Sequence, residues 1–435
     1  MPLGLYISVP FCRTKCSYCN FASDVFSKSA YENYVARLVE DVAAWRELVS
    51  KLGCAFESAF KEPADSIYLG GGTPSILNGA QLLRIFAAVR DQFAVTTDAE
   101  VTVECAPGTL TPTLIDTLQQ CGVNRVSLGV QSFVDQEAQS VGRLHKRSTV
   151  LEEIARLRQA GIDNISIDLI AGLPHQTAES WAFSVAETIA TGVPHASVYM
   201  LEVDDDSRLG RELIAGGARY HAHFVPDDDA TADFYQQACE MLALAGIAQY
   251  EISNFARAEE LQSRHNLKYW TRRPYLGFGV DAHSMLEGTV EGRSALPVRF
   301  ATPESLDAYM NRVPPTVTPV SAQTAIEESF FLGLRLNRGI DLNRMRAQFG
   351  AEFARAGSSA SSPNTNCYLE GSEGPAIWDS AIRSGIEDGL LEEQGATLRL
   401  TRRGRLLSNE VFARFLTEER NKSGNQSRES TLVDR

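Results

Sequence analysis

The sequence predicts an α/β protein built on a parallel sheet, followed by a smaller α+β domain. Three observations carry this expectation: short apolar strands alternate with helical patterns up to about residue 255, polar and glycine-rich motifs fall at the strand ends, and helices followed by a hairpin fill the last third. Repeated βα units with apolar strands mean a parallel sheet covered by helices. With 435 residues and 44% hydrophobic content, the chain can bury one large core and one smaller one.

Strands are expected at 5–9, 66–69, 100–104, 125–129, 164–170 and 196–201, with a further one at 249–253. Helices lie between them. In 31–52, Tyr31, Tyr34, Val35, Leu38, Val39, Val42 and Leu48 recur at three- and four-residue steps. Ligands of parallel sheets gather at the carboxyl ends of the strands. The expected organisation is a first domain over 1–255, a connecting segment over 256–320, a second domain over 321–420 and a disordered tail over 421–435. In the second domain, helices at 327–336, 342–349 and 378–389 precede a hairpin around Gly395 and a last helix over 404–416, a winged-helix-like order. The stretch 356–375, rich in Ser, Gly and Asn, reads as an inserted loop.

Charge and composition narrow the function. The formal charge of −14 opposes broad binding to a phosphate backbone, so no nucleic-acid partner is expected. The apolar runs are too short and interrupted to span a bilayer, and residues 1–20 lack a signal peptide's basic start and apolar stretch. A cytoplasmic protein is expected. Eight cysteines without regular pairing suit a reducing compartment. Cys54, Cys105, Cys121, Cys239 and Cys367 each stand alone and are expected to be small core or surface residues.

Cys12, Cys16 and Cys19 are different. Thiolates at spacing C-x3-C-x2-C can hold three irons of a 4Fe-4S cube and leave the fourth open to a substrate or cofactor. The alternatives are a zinc site or three buried thiols, but zinc knuckles pair C-x2-C with a second ligand pair, and none follows nearby. The spacing resembles that of the radical S-adenosylmethionine (SAM) superfamily, in which SAM chelates the open iron. Gly70-Gly71-Gly72-Thr73-Pro74 follows a strand one βα unit later, where backbone can approach a ligand closely. Glu104, Gln131 and Asp168 fall at or near successive strand ends.

With Tyr6, Val103-Glu104, Gly129-Val130-Gln131-Ser132-Phe133, Gly142-Arg143-Leu144-His145 and 166–174, these motifs resemble the oxygen-independent coproporphyrinogen III oxidase family. The resemblance implies a partial (β/α)6 radical SAM barrel with a winged-helix-like domain at its end. It implies Cys12, Cys16 and Cys19 as ligands of a 4Fe-4S cluster, and a SAM pocket of Tyr6, Gly71, Gly72, Thr73, Glu104, Gln131, Arg143 and Asp168. Ala106 stands before Pro107 where relatives carry Asn or Asp, so a local hydrogen bond is expected to be missing.

Two features separate the branches of that family. The oxidases resemble C-x3-C-x2-C-x-C and carry several dozen residues ahead of the cluster; this chain has Phe21 at the fourth position and eleven residues before Cys12. Further on, Arg264-His265-Asn266-Leu267-Lys268-Tyr269-Trp270 resembles the H-N-x-x-Y-W motif of the haem-chaperone branch. Taken alone, a histidine beside aromatics is more often a core residue. The resemblance implies His265, Tyr269 and Trp270 as haem-binding residues, with imidazole as a candidate axial ligand. The expected function is binding haem and handing it to acceptor haemoproteins, with membrane contact only through those acceptors. The alternative is oxidative decarboxylation of coproporphyrinogen III to protoporphyrinogen IX.

Cys16→Ala tests the cluster assignment. The anaerobically reconstituted variant should hold well under four irons per chain; unchanged iron and sulfide content would remove the assignment.

Overall fold

The computed structural model describes residues 2–51, 62–288, 296–355 and 377–416. Six strands, each followed by at least one helix, form its centre: β1 (Leu3–Val9), β2 (Ala64–Gly71), β3 (Val95–Cys105), β4 (Arg125–Gln131), β5 (Asn164–Ala171) and β6 (His195–Met200). They pair in parallel and in chain order. The result is a partial (β/α)6 barrel.

The strands are not uniformly apolar as expected for a sheet buried on both faces; they alternate. Leu5, Ile7, Ile67, Leu69, Val101, Val103, Val126, Leu128, Ile165 and Ile167 are fully buried or nearly so and share one face. Register puts Tyr6 beside Tyr68, Tyr68 beside Thr102, Glu104 beside Ser127, Ser127 beside Ser166, and Asp168 beside Ser197 on the opposite face. That inner face is polar yet buried, so every group on it needs a hydrogen-bonding partner.

The helix expected over 31–52 divides at Ala44 into Lys28–Ala43 and Trp45–Lys51. The single strand expected over 249–253 is replaced by two short ones, β7 (Ala248–Gln249) and β8 (Asn254–Ala256), with β8 antiparallel to β6. The stretch read as a connector continues the same sheet. β9 (Tyr275–Phe278) pairs in parallel with β1, and β10 (His283–Gly288), β11 (Leu296–Ala301) and β12 (Thr316–Pro319) add on antiparallel. Its hydrophobic pattern was too short per segment to show this.

The chain divides into two compact units, the first of Met1–Gln249, Ser253–Lys268 and Arg273–Pro319, the second of Tyr250–Ile252, Tyr269–Arg272 and Val320–Arg435. In the second, helices Ala322–Gly333, Leu342–Arg355 and Ile377–Glu387 pack with a three-stranded antiparallel sheet of β13 (Ile340–Asp341), β14 (Leu391–Gln394) and β15 (Thr397–Leu400). The last helix expected over 404–416 is two short ones, Arg402–Leu406 and Ser408–Ala413. Fully buried Phe330, Trp378 and Phe415 centre this core, the Phe330 and Phe415 rings stacking 4.3 Å apart. Cys54, Cys367, the loop expected over 356–375 and the tail expected over 421–435 lie outside the described residues. No helix among the described residues is long and apolar enough to cross a membrane.

Candidate functional site

The site begins where β1 runs into the cysteine loop. Gly71 has φ +101°, and a Cβ on Gly72 would lie 2.7 Å from Phe11 O and 2.9 Å from Phe11 N. Only glycine permits that approach of two backbones. Gly72 N then donates to Val9 O at 2.8 Å, and the next residue, Thr73, reaches Cys12: its Oγ1 donates to Sγ across 3.7 Å. Cys12 Sγ in turn donates to Ser23 Oγ at 3.6 Å.

The three thiols interact electrostatically with one another. Burial pushes the Cys12 thiol up, opposed by the Ser23 and Thr73 hydroxyls and by the Arg143 guanidinium. Burial pushes Cys19 up to about 11, with Cys16 and Cys12 adding to the rise. Tyr18, also pushed up by burial, sits against Arg143, Cys16 and Cys19. Arg143 Nε is buried without a hydrogen-bond partner. A Cβ on Gly129 would stand 2.9 Å from Arg143 Nη2, so that glycine makes room for the guanidinium.

Beyond the loop, polar groups line the inner face. Glu104 accepts from Tyr68 OH at 2.8 Å and from Gly71 N at 3.1 Å. Burial, reinforced by the charge of Asp168, pushes its carboxyl up to about 7. Asp168 accepts from Ser127 Oγ at 3.0 Å and Ser166 Oγ at 3.4 Å, and burial still raises it. Gln131 follows an irregularity in the β4–β5 register and has φ 68°, a conformation that costs energy away from glycine and clusters at ligand-facing positions. At Ala106, the backbone N and Thr109 Oγ1 both donate to Ser75 Oγ.

The fold therefore brings Tyr6, Gly71, Gly72, Thr73, Glu104, Gln131, Arg143 and Asp168 to one face and its strand ends. His265 lies elsewhere. The helix Arg264–Trp270 is held by Glu100, whose carboxylate accepts from Arg264 N and His265 N at 3.0 and 3.1 Å. The His265 ring is 1% exposed, has Nδ1 3.0 Å from Ser66 Oγ, and stacks against Tyr6 and near Tyr68. Ser66 precedes Gly70 by four strand residues, so it is about 13 Å from the glycine loop at about 3.3 Å per residue. An imidazole so enclosed is closed to a tetrapyrrole in this conformation, and burial holds its pKa down at about 3. Of the other two haem candidates, Trp270 is buried beneath the Arg335 guanidinium, 4.4 Å from its ring, and Tyr269 is half-buried.

Sequence reasoning missed Tyr68, Ser127, Ser166 and Ser197. The signal was present as a polar residue at every second position of β2 to β6.

The profile of the Radical SAM superfamily matches residues 6–185, and that of the HemN C-terminal domain matches 320–356. Heme chaperone HemW of Lactococcus lactis is 30% identical over 424 residues, covering 97% of this chain and 99% of that protein. The chain belongs to the HemW family. Heme chaperone HemW of Bacillus subtilis is 30% identical, with 95% of this chain and 99% of that protein covered; the Synechocystis protein of the same name is 34% identical, at 85% and 87%. Coproporphyrinogen III oxidase (HemN) from Escherichia coli, described as a radical SAM enzyme, shares the fold, with a TM-score of 0.73 at 22% identity over 95% of this chain and 90% of that one. In this HemW-family chain, Phe21 is 40% exposed.

The donor set fits an iron–sulfur cube. The hydroxyls beside Cys12 and the guanidinium near all three thiols favour the deprotonated sulfur that iron requires.

Two outcomes follow. Because Glu104 is raised from an ordinary 4.5 to about 7, its contribution to stability is present below pH 4.5 and is lost as pH rises through 7. Urea unfolding of ligand-free protein should show a loss on the order of 3 kcal/mol over that range that Glu104→Gln lacks; identical pH profiles would refute it. His265→Ala should cost about 2 kcal/mol of stability and leave the iron content of the reconstituted protein unchanged. A shifted haem spectrum with full stability would instead make His265 a ligand.

Proposed function

We propose that this chain binds haem and hands it to acceptor haemoproteins, carrying a 4Fe-4S cluster on Cys12, Cys16 and Cys19 with SAM beside it. The observation that carries this reading is the uninterrupted likeness to proteins named heme chaperone HemW, which extends over 97% of the chain and 99% of the relative. Phe21 in place of a fourth cysteine supports it against the oxidase reading.

Bound together, the cluster and SAM supply one-electron chemistry at the strand ends. The chain's own residues bind and orient. Glu104 and Asp168 present buried acceptors to the ammonium and hydroxyl groups of a nucleoside ligand, and the Arg143 guanidinium suits a carboxylate. Tyr6, Gln131 and the Gly71-Gly72-Thr73 loop complete the pocket. A cation seated near Glu104 would pull its raised carboxyl down and release a proton near neutral pH. His265 is assigned a positioning role: it braces Tyr68, whose hydroxyl holds Glu104. Of the two aromatics, half-buried Tyr269 stays a candidate haem contact, while Trp270, buried beneath the Arg335 guanidinium, is assigned to packing in this conformation. The setting is the cytoplasm, where thiols remain reduced, with membrane contact only through acceptors and no nucleic-acid partner.

The test is anaerobic incubation of reconstituted protein with haem, and separately with coproporphyrinogen III, SAM and reductant. Haem should bind, and no protoporphyrinogen should form. Multiple turnovers to protoporphyrinogen would overturn the chaperone reading in favour of the oxidase.

A further inference from the structure

The outer side of the cysteine loop borders an open cavity of about 420 Å³ in the first unit. Among its described lining residues are none of Cys12, Cys16 and Cys19 and none of the residues assigned to SAM, so it is a separate feature. Four cations line it: Arg13, Lys15, Arg208 and Arg219. In a chain of formal charge −14 this is a local reversal of sign.

Their partners are telling. Arg13 donates to Gly108 O, Lys15 to Phe21 O and Arg208 to Lys15 O, while Arg219 lies over the Tyr220 ring. Among the described residues, none of the four is paired with a carboxylate. Uncompensated cations gathered around one concavity raise the local concentration of an anion, and guanidinium forks match carboxylates in particular. A second, independent observation points the same way. Ser17, which lines the cavity, is 3% exposed and its Oγ has no hydrogen-bond partner. A buried hydroxyl left unpaired is costly unless a ligand or water completes it.

The rest of the lining is mixed: beside polar Thr14, Gln139 and Ser140 stand two large exposed aliphatic side chains. Val25 and Leu144 are 54% and 65% exposed, large hydrophobics presented to solvent beside the cations. A phosphate or free carboxylate would leave them wet, whereas an amphiphile with carboxylates at one edge would cover them. We propose that this cavity is where the chain takes haem by its propionate edge, with Arg13, Lys15, Arg208 and Arg219 on the carboxylates and Val25 and Leu144 against the macrocycle. The assignment rests on the haem reading of the preceding subsection and names its site. An open cavity of this size holds one edge of the macrocycle, leaving the other free for an acceptor.

The test uses the full-length reconstituted chain and two probes, ferric haem and its dimethyl ester, titrated by absorbance. The double variant Arg13→Gln/Arg219→Gln alters two exposed cations and spares Arg208, which anchors the cysteine loop. It should bind haem at least tenfold more weakly than the wild type, about 1.4 kcal/mol or more, with iron content unchanged. The ester should bind the wild type and the variant alike, and more weakly than haem binds the wild type. Unchanged haem affinity in the variant overturns the cavity and leaves the chaperone reading standing, as does an equal loss for haem and ester. Failure of the wild type to bind haem overturns the chaperone reading, and the cavity assignment with it.

Discussion

The strand-end site depends on one close approach, that of Gly72 to the backbone of Phe11. A methyl group there would collide with three main-chain atoms, Phe11 O, Phe11 N and Val9 O. Because the two backbones meet, Thr73 reaches Cys12, and the loop that starts at Pro10 is fixed to β2 as well as to its own strand. The cysteine loop thus takes its position from a glycine some sixty residues away in sequence. Other anchors come from farther along the chain: Thr14 Oγ1 donates to Gly142 O at 3.0 Å, and Leu209 N to Ser17 O at 2.8 Å.

Electrostatics then divides the barrel interior. Glu100 faces Arg125 and the first backbone N–H groups of the helix Arg264–Trp270, and is compensated by both. Four residues further along the same strand, Glu104 has Tyr68 OH, Gly71 N and the weaker pull of Arg125 for support, against burial and a second carboxylate, Asp168, within electrostatic reach. The compensated end of the strands is structural, whereas the undercompensated end gains when a cation arrives. The placement of His265 follows from this division, since it belongs to the compensated end.

Much of this was legible in the sequence. The cysteine spacing, the glycine run and the acids at strand ends are local patterns whose chemistry needs no tertiary knowledge, and all fall on the strand-end site. What was not legible depended on pairing across the sheet. The strands β9 to β12 are four to six residues long, and the one helix described among them, Leu306–Met310, has five residues, so nothing local ties them to β1. His265 illustrates the same limit: the motif names an imidazole beside aromatics, but only the fold reveals that the neighbouring rings are Tyr6 and Tyr68, and that they enclose it. The charge reversal at the cavity arises from Arg13, Lys15, Arg208 and Arg219, which no window along the chain would gather.

The two-residue alternation of the central strands also bears on how such a chain can change over generations. Exchanging one hydroxyl for another on the inner face, serine for threonine at 127 or 166, alters a single contact. Deleting one residue from β4 or β5 turns every following side chain to the other face, carrying Ser127 or Asp168 into the helical layer and a leucine or isoleucine into the polar interior. A change of length therefore costs far more within these strands than in the loops that join them. The irregularity between Gly129 and Gln131 is an extra residue accommodated where the alternation has already done its work.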